Sequence, residues 1–158
     1  MYEHIARKLA TGGIIIIDGG TGTDIQRRGA PMSGDTWCAD ATLTHPAIVR
    51  EVHADYIRAG AEIVIANTFA TSALLFNALG RDKDLIEIDR AAAALAKEAA
   101  ANRQVAVAGS VSTMRPVIAG SDRTSKQREW PEQDARALFR RKVGNLAHCG
   151  VDLLMMEM

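Results

Sequence analysis

The sequence predicts an α/β fold built from parallel (β/α) units. Four short apolar segments alternate with segments whose apolar residues recur at helical spacing. Such alternation is typical of a parallel sheet with right-handed crossovers. All four apolar segments end in acidic, polar or small residues, and barrel active sites draw on several strand ends at once. We therefore favour the N-terminal half of a TIM (β/α)8 barrel over the alternative, a doubly wound open sheet.

The first strand is predicted at residues 14–17, four successive isoleucines preceded by a short helix at residues 2–10. An uninterrupted apolar run indicates a strand that is buried on both faces. Asp18 and three glycines follow within five residues, and glycines let a ligand approach the backbone closely. The first hypothesis is therefore a binding site into which Asp18 points. Residues 24–41, rich in turn-forming residues, predict a loop.

The later elements continue the alternation. We predict helices at residues 44–60, 72–79, 84–101 and 131–148, strands at residues 62–69, 104–110 and 150–158, and a polar, basic loop from 112 to 130. Glu157 lies at the carboxyl end of the last strand. A barrel usually needs about 250 residues, so we expect residues 1–158 to be the N-terminal half of a larger domain, ended after its fourth strand.

Composition excludes several classes of partner. Nineteen basic residues balance nineteen acidic ones, so nothing indicates nucleic-acid binding. No apolar run approaches the roughly 20 residues of a membrane span, and the N-terminus lacks a signal-peptide core. Cys38 and Cys149 lie far apart, which suits a reducing cytoplasm. Neither cysteine, nor any histidine, belongs to a cluster with metal-ligand spacing.

Nucleotide binding is disfavoured by the glycine-rich segment itself. A Rossmann fingerprint needs a third glycine where this chain has Ile25, and no Gly-Lys-Ser/Thr follows as in a Walker A loop. A phosphate-binding open α/β domain remains an alternative. Trp37, in a predicted loop, would either line a pocket or simply pack.

Asp18 and Glu157 occupy equivalent places at the ends of the first and last strands. In a barrel both would face the central mouth, where two carboxylates suit an ammonium group. Asn67, Thr68 and Ser110 end the middle strands and could hold a substrate carboxylate. The alternative for each of these residues is a structural role in a turn or an ion pair.

Five motifs, taken in order, resemble the homocysteine S-methyltransferase family. They are residues 18–23 (DGGTGT), 45–46 (HP), 60–69 (GAEIVIANTF), 108–111 (AGSV) and 150–157 (GVDLLMME). The resemblance implies a (β/α)8 barrel enzyme that transfers a methyl group from a donor to the sulfur of homocysteine, forming methionine. It also implies that Asp18 and Glu157 hold the amino group of homocysteine, and that Gly19 and Thr68, with Asn67 beside them, lie at its carboxylate.

The resemblance further implies a zinc ion held by three cysteines of later strands, in Gly-x-Asn-Cys and Gly-Gly-Cys-Cys stretches. Neither stretch occurs in this chain, so we assign no zinc ligand and no catalytic residue, and expect the chain alone to be inactive. The alternative is a non-catalytic amino-acid-binding half-barrel, or one completed by a partner. Exposed sheet edges would favour a homo-oligomer.

Overall fold

The computed structural model describes residues 2–116 and 129–157. Seven helices and three strands are found in this part of the chain. In order they are α1 (Tyr2–Ala10), α2 (Thr21–Arg27), α3 (Ala41–Thr44), α4 (Pro46–Arg58), β1 (Ile63–Ile65), α5 (Ala73–Ala78), α6 (Asp82–Ala100), β2 (Ala106–Ser112), α7 (Glu132–His148) and β3 (Leu153–Glu157).

The strands form one parallel sheet in the order β1–β2–β3. β2 pairs with β1 on one side and with β3 on the other, and all seven of its residues are buried. Helix α6 connects the first pair of strands and α7 the second. The predicted alternation of parallel strands with helices is therefore confirmed.

The isoleucine segment differs from its prediction as a fully buried strand. It makes a single parallel bridge, between Ile17 and Ile63, and Ile14 is 80% exposed. Hydrogen bonds still align it with β1, since the N–H of Asp18 donates to Ile63 O at 3.0 Å and that of Glu62 donates to Ile16 O at 2.7 Å. The segment lies at the sheet edge, and an edge segment bonded on one side leaves its outer groups uncovered.

Other predicted elements also differ from the structure. Residues 24–27 belong to α2 rather than to a loop, because Ile25 is fully buried and Asp24 forms an ion pair with Arg28 one turn later. The strand predicted at residues 62–69 runs only from Ile63 to Ile65. In the predicted loop 112–130, residues 117–128 lie outside the described residues.

The core lies on both faces of the sheet. On one face Val64 and Val107 pack against Ile57 of α4 and Ala92 of α6. On the other face Ile63, Ala106 and Ala108 pack with Ile5 of α1. Successive residues of β1 thus face different clusters, which is the period of two expected of a strand. Burial of both faces is what the apolar composition of β1 and β2 requires.

Two helical glycines should respond oppositely to alanine. A Cβ on Gly144 of α7 would meet nothing within 4 Å, so Gly144→Ala should stabilise the chain by about 0.5–1 kcal/mol through helix propensity. A Cβ on Gly22 of α2 would lie 2.6 Å from Trp37 Cη2 and 2.9 Å from Cys38 Sγ. Gly22→Ala should therefore destabilise it by about 1–3 kcal/mol through overpacking. Urea unfolding measures both, and changes of the same sign would contradict the packing described.

Candidate functional site

The carboxyl ends of the isoleucine segment and of the three parallel strands lie at the same end of the sheet. A cavity of about 210 Å³ opens there. Backbone and side chains from four parts of the chain line it: Gly19, Gly20, Thr21, Gly22, Trp37, Cys38, Ile65, Ala66, Asn67, Phe69 and Glu157. Ligands of α/β proteins bind at this end of a parallel sheet.

Asp18 lies immediately before the lining glycines and is only 6% exposed. Its Oδ2 accepts hydrogen bonds from the N–H of Ile65 at 2.8 Å and from the hydroxyl of Thr21 at 3.5 Å. Its Oδ1 is also buried but has no hydrogen-bond partner. A buried oxygen without a donor costs free energy, so Asp18 is ready to accept a donor from a ligand.

The electrostatics of Asp18 match this geometry. Burial raises the pKa of the Asp18 carboxyl to about 7, and the negative charge of Glu157 adds to the rise. The hydrogen bonds from Ile65 and Thr21 oppose it and are outweighed. Carboxyls with such raised pKa values are concentrated at functional sites.

Glu157 is the last residue of β3 and lines the same cavity. Its position follows from strand register, because it pairs with Ser112 at the end of β2. Asp18 is not among the lining residues, but it directly precedes the lining glycines, and its carboxyl lies near enough to Glu157 to feel that charge. The negative charges of the two carboxylates disfavour an anionic ligand nearby and favour a cation.

Asn67 lines the cavity, but its side-chain amide is hydrogen-bonded within the protein. Its Nδ2 donates to Cys38 O and to Thr42 Oγ1, both at 3.0 Å, and its Oδ1 accepts from the Cys38 thiol at 3.1 Å. These bonds tie the loop after β1 to Cys38 and to Thr42 of α3. The proximity of Asn67 to a substrate carboxylate stays a prediction.

Thr68 is fully buried and is not among the cavity-lining residues. Its hydroxyl accepts from the N–H of Ser110 at 2.8 Å and donates to Ser110 O at 3.2 Å, joining the loop after β1 to β2. Because a hydroxyl has one hydrogen, this side chain is already engaged. Its contact with a substrate carboxylate likewise stays a prediction.

Two aromatic residues form one wall of the cavity: Trp37, for which the sequence left open a pocket-lining or a packing role, and Phe69, which sequence reasoning did not assign. The rings of Trp37 and Phe69 meet edge to face, with centroids 6.3 Å apart and planes at 85°. Trp37 adopts a φ of 49°, a left-handed conformation that is uncommon outside glycine. No sequence pattern indicates this backbone geometry, although a tryptophan beside a turn-rich segment is a weak signal for a pocket.

The described residues do not fit the zinc ion that the resemblance implies. Cys38 lines the cavity, but burial raises the pKa of its thiol to about 12, which opposes the thiolate that zinc requires. Cys149 follows α7, at the amino end of β3 and hence at the opposite edge of the sheet. Within residues 2–116 and 129–157, no group of three histidine, cysteine, aspartate or glutamate residues could hold a metal.

Comparison with known proteins decides the family. The family model described as homocysteine S-methyltransferase matches residues 15–158. The chain belongs to this family of methyltransferases. A homocysteine S-methyltransferase of Escherichia coli (strain K12) is 32% identical over 153 residues, which cover 91% of this chain and 49% of that protein. A selenocysteine methyltransferase of Astragalus bisulcatus is 31% identical over 166 residues, covering 90% and 49%.

A solved structure gives the same result. The metallated form of the Escherichia coli homocysteine methyltransferase MmuM aligns with a TM-score of 0.75 at 29% identity, covering 96% of this chain and 56% of that one. This likeness to a TIM-barrel enzyme confirms the predicted fold class. The chain spans about half the length of the curated relatives it matches. None of the helices in the described ranges has the length and apolar character needed to cross a membrane.

The raised pKa of Asp18 predicts a pH-dependent stability. The unfolded chain loses this proton as the pH rises through about 4, whereas the folded chain keeps it up to about pH 7. Asp18 therefore supports folding less as the pH rises through this window, and Asp18→Asn removes the dependence. The free energy of unfolding of Asp18→Asn relative to wild type should rise by on the order of 3 kcal/mol from pH 4 to pH 8. Urea unfolding at several pH values measures it, and a difference independent of pH would refute the burial argument.

Proposed function

We propose that this cavity binds homocysteine and that the whole protein transfers a methyl group to its sulfur, forming methionine. Membership of the family supports the reaction. One structural observation supports the amino acid: a buried carboxyl oxygen of Asp18 has no donor, and Asp18 directly precedes the glycines that line the cavity together with Glu157. On this proposal residues 1–158 are the N-terminal half of a homocysteine-binding (β/α)8 domain.

The ammonium group of an amino acid suits both acids. It offers three donors, of which one can satisfy Asp18 Oδ1 and another the carboxylate of Glu157. Burial raises the pKa of the Asp18 carboxyl to about 7, and a bound cation favours its ionised form, so ligand binding shifts this carboxyl toward the charged state. Charge-assisted hydrogen bonds of this kind are about twice as strong as neutral ones.

The remaining parts of the cavity suit the rest of the ligand. Trp37 and Phe69 supply an apolar wall beside which the two methylene groups of homocysteine can pack. The glycines at residues 19, 20 and 22 also line the cavity and have no side chains to cover their backbone. We propose that the carboxylate contacts this backbone at Gly19 and lies near Asn67 and Thr68, as the family resemblance implies.

The chemical step needs more than the described residues. Zinc-bound thiolate would be the nucleophile in the mechanism that the resemblance implies, and coordination would supply the missing acidity of the sulfur. Cys38 and Cys149 do not form such a site, so we propose that its ligands come from outside the described residues. The chain of 158 residues should then bind homocysteine without methylating it.

Two other readings receive less support. A phosphate in this cavity would face the carboxylates of Asp18 and Glu157, which disfavour an anion. Closure of the sheet by a partner or a second copy would cover Ile14, which is 80% exposed, and Met156, which is 72% exposed. That association stays a prediction.

The choice of amino acid rests on the family description. Homocysteine and selenocysteine share the ammonium and carboxylate groups, and we propose homocysteine because the family is described as homocysteine S-methyltransferase.

Calorimetric titration of homocysteine into the 158-residue chain, with and without zinc, tests the proposal. Asp18→Asn and Glu157→Gln should each weaken binding by about 1–3 kcal/mol, the cost of a lost charge-assisted hydrogen bond. Glu62→Gln is the matched control, since Glu62 lies at the amino end of β1 and pairs with Lys8. Its affinity should equal that of wild type. Absence of binding by the wild-type chain, or unchanged affinity in both site variants, would refute the proposal.

A further inference from the structure

A buried ion pair lies behind the loop that carries Phe69 to the cavity. Asp89 of α6 and Lys142 of α7 are 0% and 1% exposed, and their charged atoms are 2.6 Å apart. Lys142 Nζ also donates to Thr71 Oγ1 at 2.7 Å and to Thr68 O at 3.4 Å. All three N–H groups of the ammonium are thus used, and two of them hold the loop.

The carboxylate of Asp89 completes the network. Its Oδ1 accepts from Lys142 and from the hydroxyl of Thr71, the latter at 2.6 Å. Its Oδ2 accepts from Asn145 Nδ2 at 3.0 Å. Two helices and one loop therefore share a single set of hydrogen bonds, in which the Thr71 hydroxyl contacts both charges.

Stability alone does not explain such a pair. Burying two charges carries a large desolvation cost, and well-packed apolar residues in the same space are often as stabilising or more so. Burial indeed lowers the pKa of Lys142, while the charge of Asp89 opposes this. The pair also fixes the position of the loop, because its hydrogen bonds hold the carbonyl oxygen of Thr68 and the hydroxyl of Thr71.

The held loop is the part of the chain that forms one side of the cavity. Asn67 and Phe69 line the cavity, and between them Thr68 is bonded to Ser110. Ser112 Oγ donates to Phe69 O at 2.5 Å. Bonds from β2 thus hold the loop at residues 68 and 69, and the ion pair holds it at residues 68 and 71.

We propose that Asp89 and Lys142 are positioning residues for the amino-acid cavity, acting through Thr71 and the carbonyl of Thr68. They fix the loop at residues 67–71 so that Phe69 and the end of β1 present the ligand-binding surface before the ligand arrives. A preformed loop spares the ligand the entropic cost of ordering it. This inference rests on the proposed function for its ligand, but its effect on the loop is measurable without any ligand.

Thr71 gives the sharpest pair of variants. Thr71→Val keeps the shape of the side chain and loses the hydroxyl that contacts both charges, whereas Thr71→Ser keeps the hydroxyl. In the 158-residue chain, hydrogen exchange of the amides at residues 67–71 should be about tenfold faster in Thr71→Val, the equivalent of one lost hydrogen bond, while exchange in α6 and α7 stays as in wild type. Thr71→Ser should exchange like wild type.

A second set of variants removes the charges themselves. Lys142→Met combined with Asp89→Asn leaves no unpaired buried charge, and should also quicken exchange at residues 67–71. Lys97→Met is the matched control, because Lys97 of α6 donates to Cys149 O just after α7 without contacting the loop. If the double variant fails to fold, the comparison of hydrogen exchange between Thr71→Val and Thr71→Ser still tests the positioning role.

Homocysteine affinity provides the functional readout. Calorimetry should show binding weakened about tenfold in Thr71→Val and unchanged in Thr71→Ser. A wild-type chain that does not bind would refute the proposed function, while the exchange measurement would still test the positioning role. Wild-type exchange at residues 67–71 in Thr71→Val would overturn the inference. So would faster exchange spread equally over α6 and α7, which is the signature of a purely structural role.

Discussion

The parallel pairing of β2 with both of its neighbours is the constraint on which the rest of the structure depends. It brings the carboxyl ends of strands that are far apart in sequence to the same end of the sheet. Through it Asn67 and Glu157 line one cavity, although helices of up to 19 residues separate the strand before Asn67 from the strand that ends in Glu157. The bridge between Ile17 and Ile63 adds Asp18 directly before the lining glycines. A shift of one residue in the pairing of β3 would turn Glu157 to the other face of the sheet.

Around this cavity, the chain accepts local costs in exchange for a defined binding surface. Asp18 is buried with one oxygen unsatisfied, Trp37 adopts a left-handed backbone conformation, and Lys142 and Asp89 bring charge into the interior. Each feature is unfavourable when considered alone. All of them lie at the cavity, beside it, or behind the loop that lines it. Unfavourable features that cluster in this way are expected where residues are retained for function rather than for stability.

The alternation of elements was predictable because period-two and helical spacing are local properties of the sequence. Helix α7 begins within one residue of its predicted start, directly after Pro131. The exposure of Ile14 was not predictable, since a run of isoleucines does not reveal whether an element covers it. α2 was missed because glycine and threonine are weak helix formers, and the burial of Ile25 that stabilises it is a tertiary effect.

The candidate site divides in the same way. Asp18 and Glu157 could be placed from strand ends alone, because parallel topology fixes where such residues meet. The hydrogen bonds that engage Asn67 and Thr68 within the fold, and the wall formed by Trp37 and Phe69, depend on contacts between distant segments that no local pattern encodes. An NMR titration of the Asp18 carboxyl carbon tests the central claim most directly. Its midpoint should lie near pH 7, fall in Glu157→Gln and fall again when homocysteine is added. A midpoint that neither change moves would show that the two carboxylates do not share a ligand site.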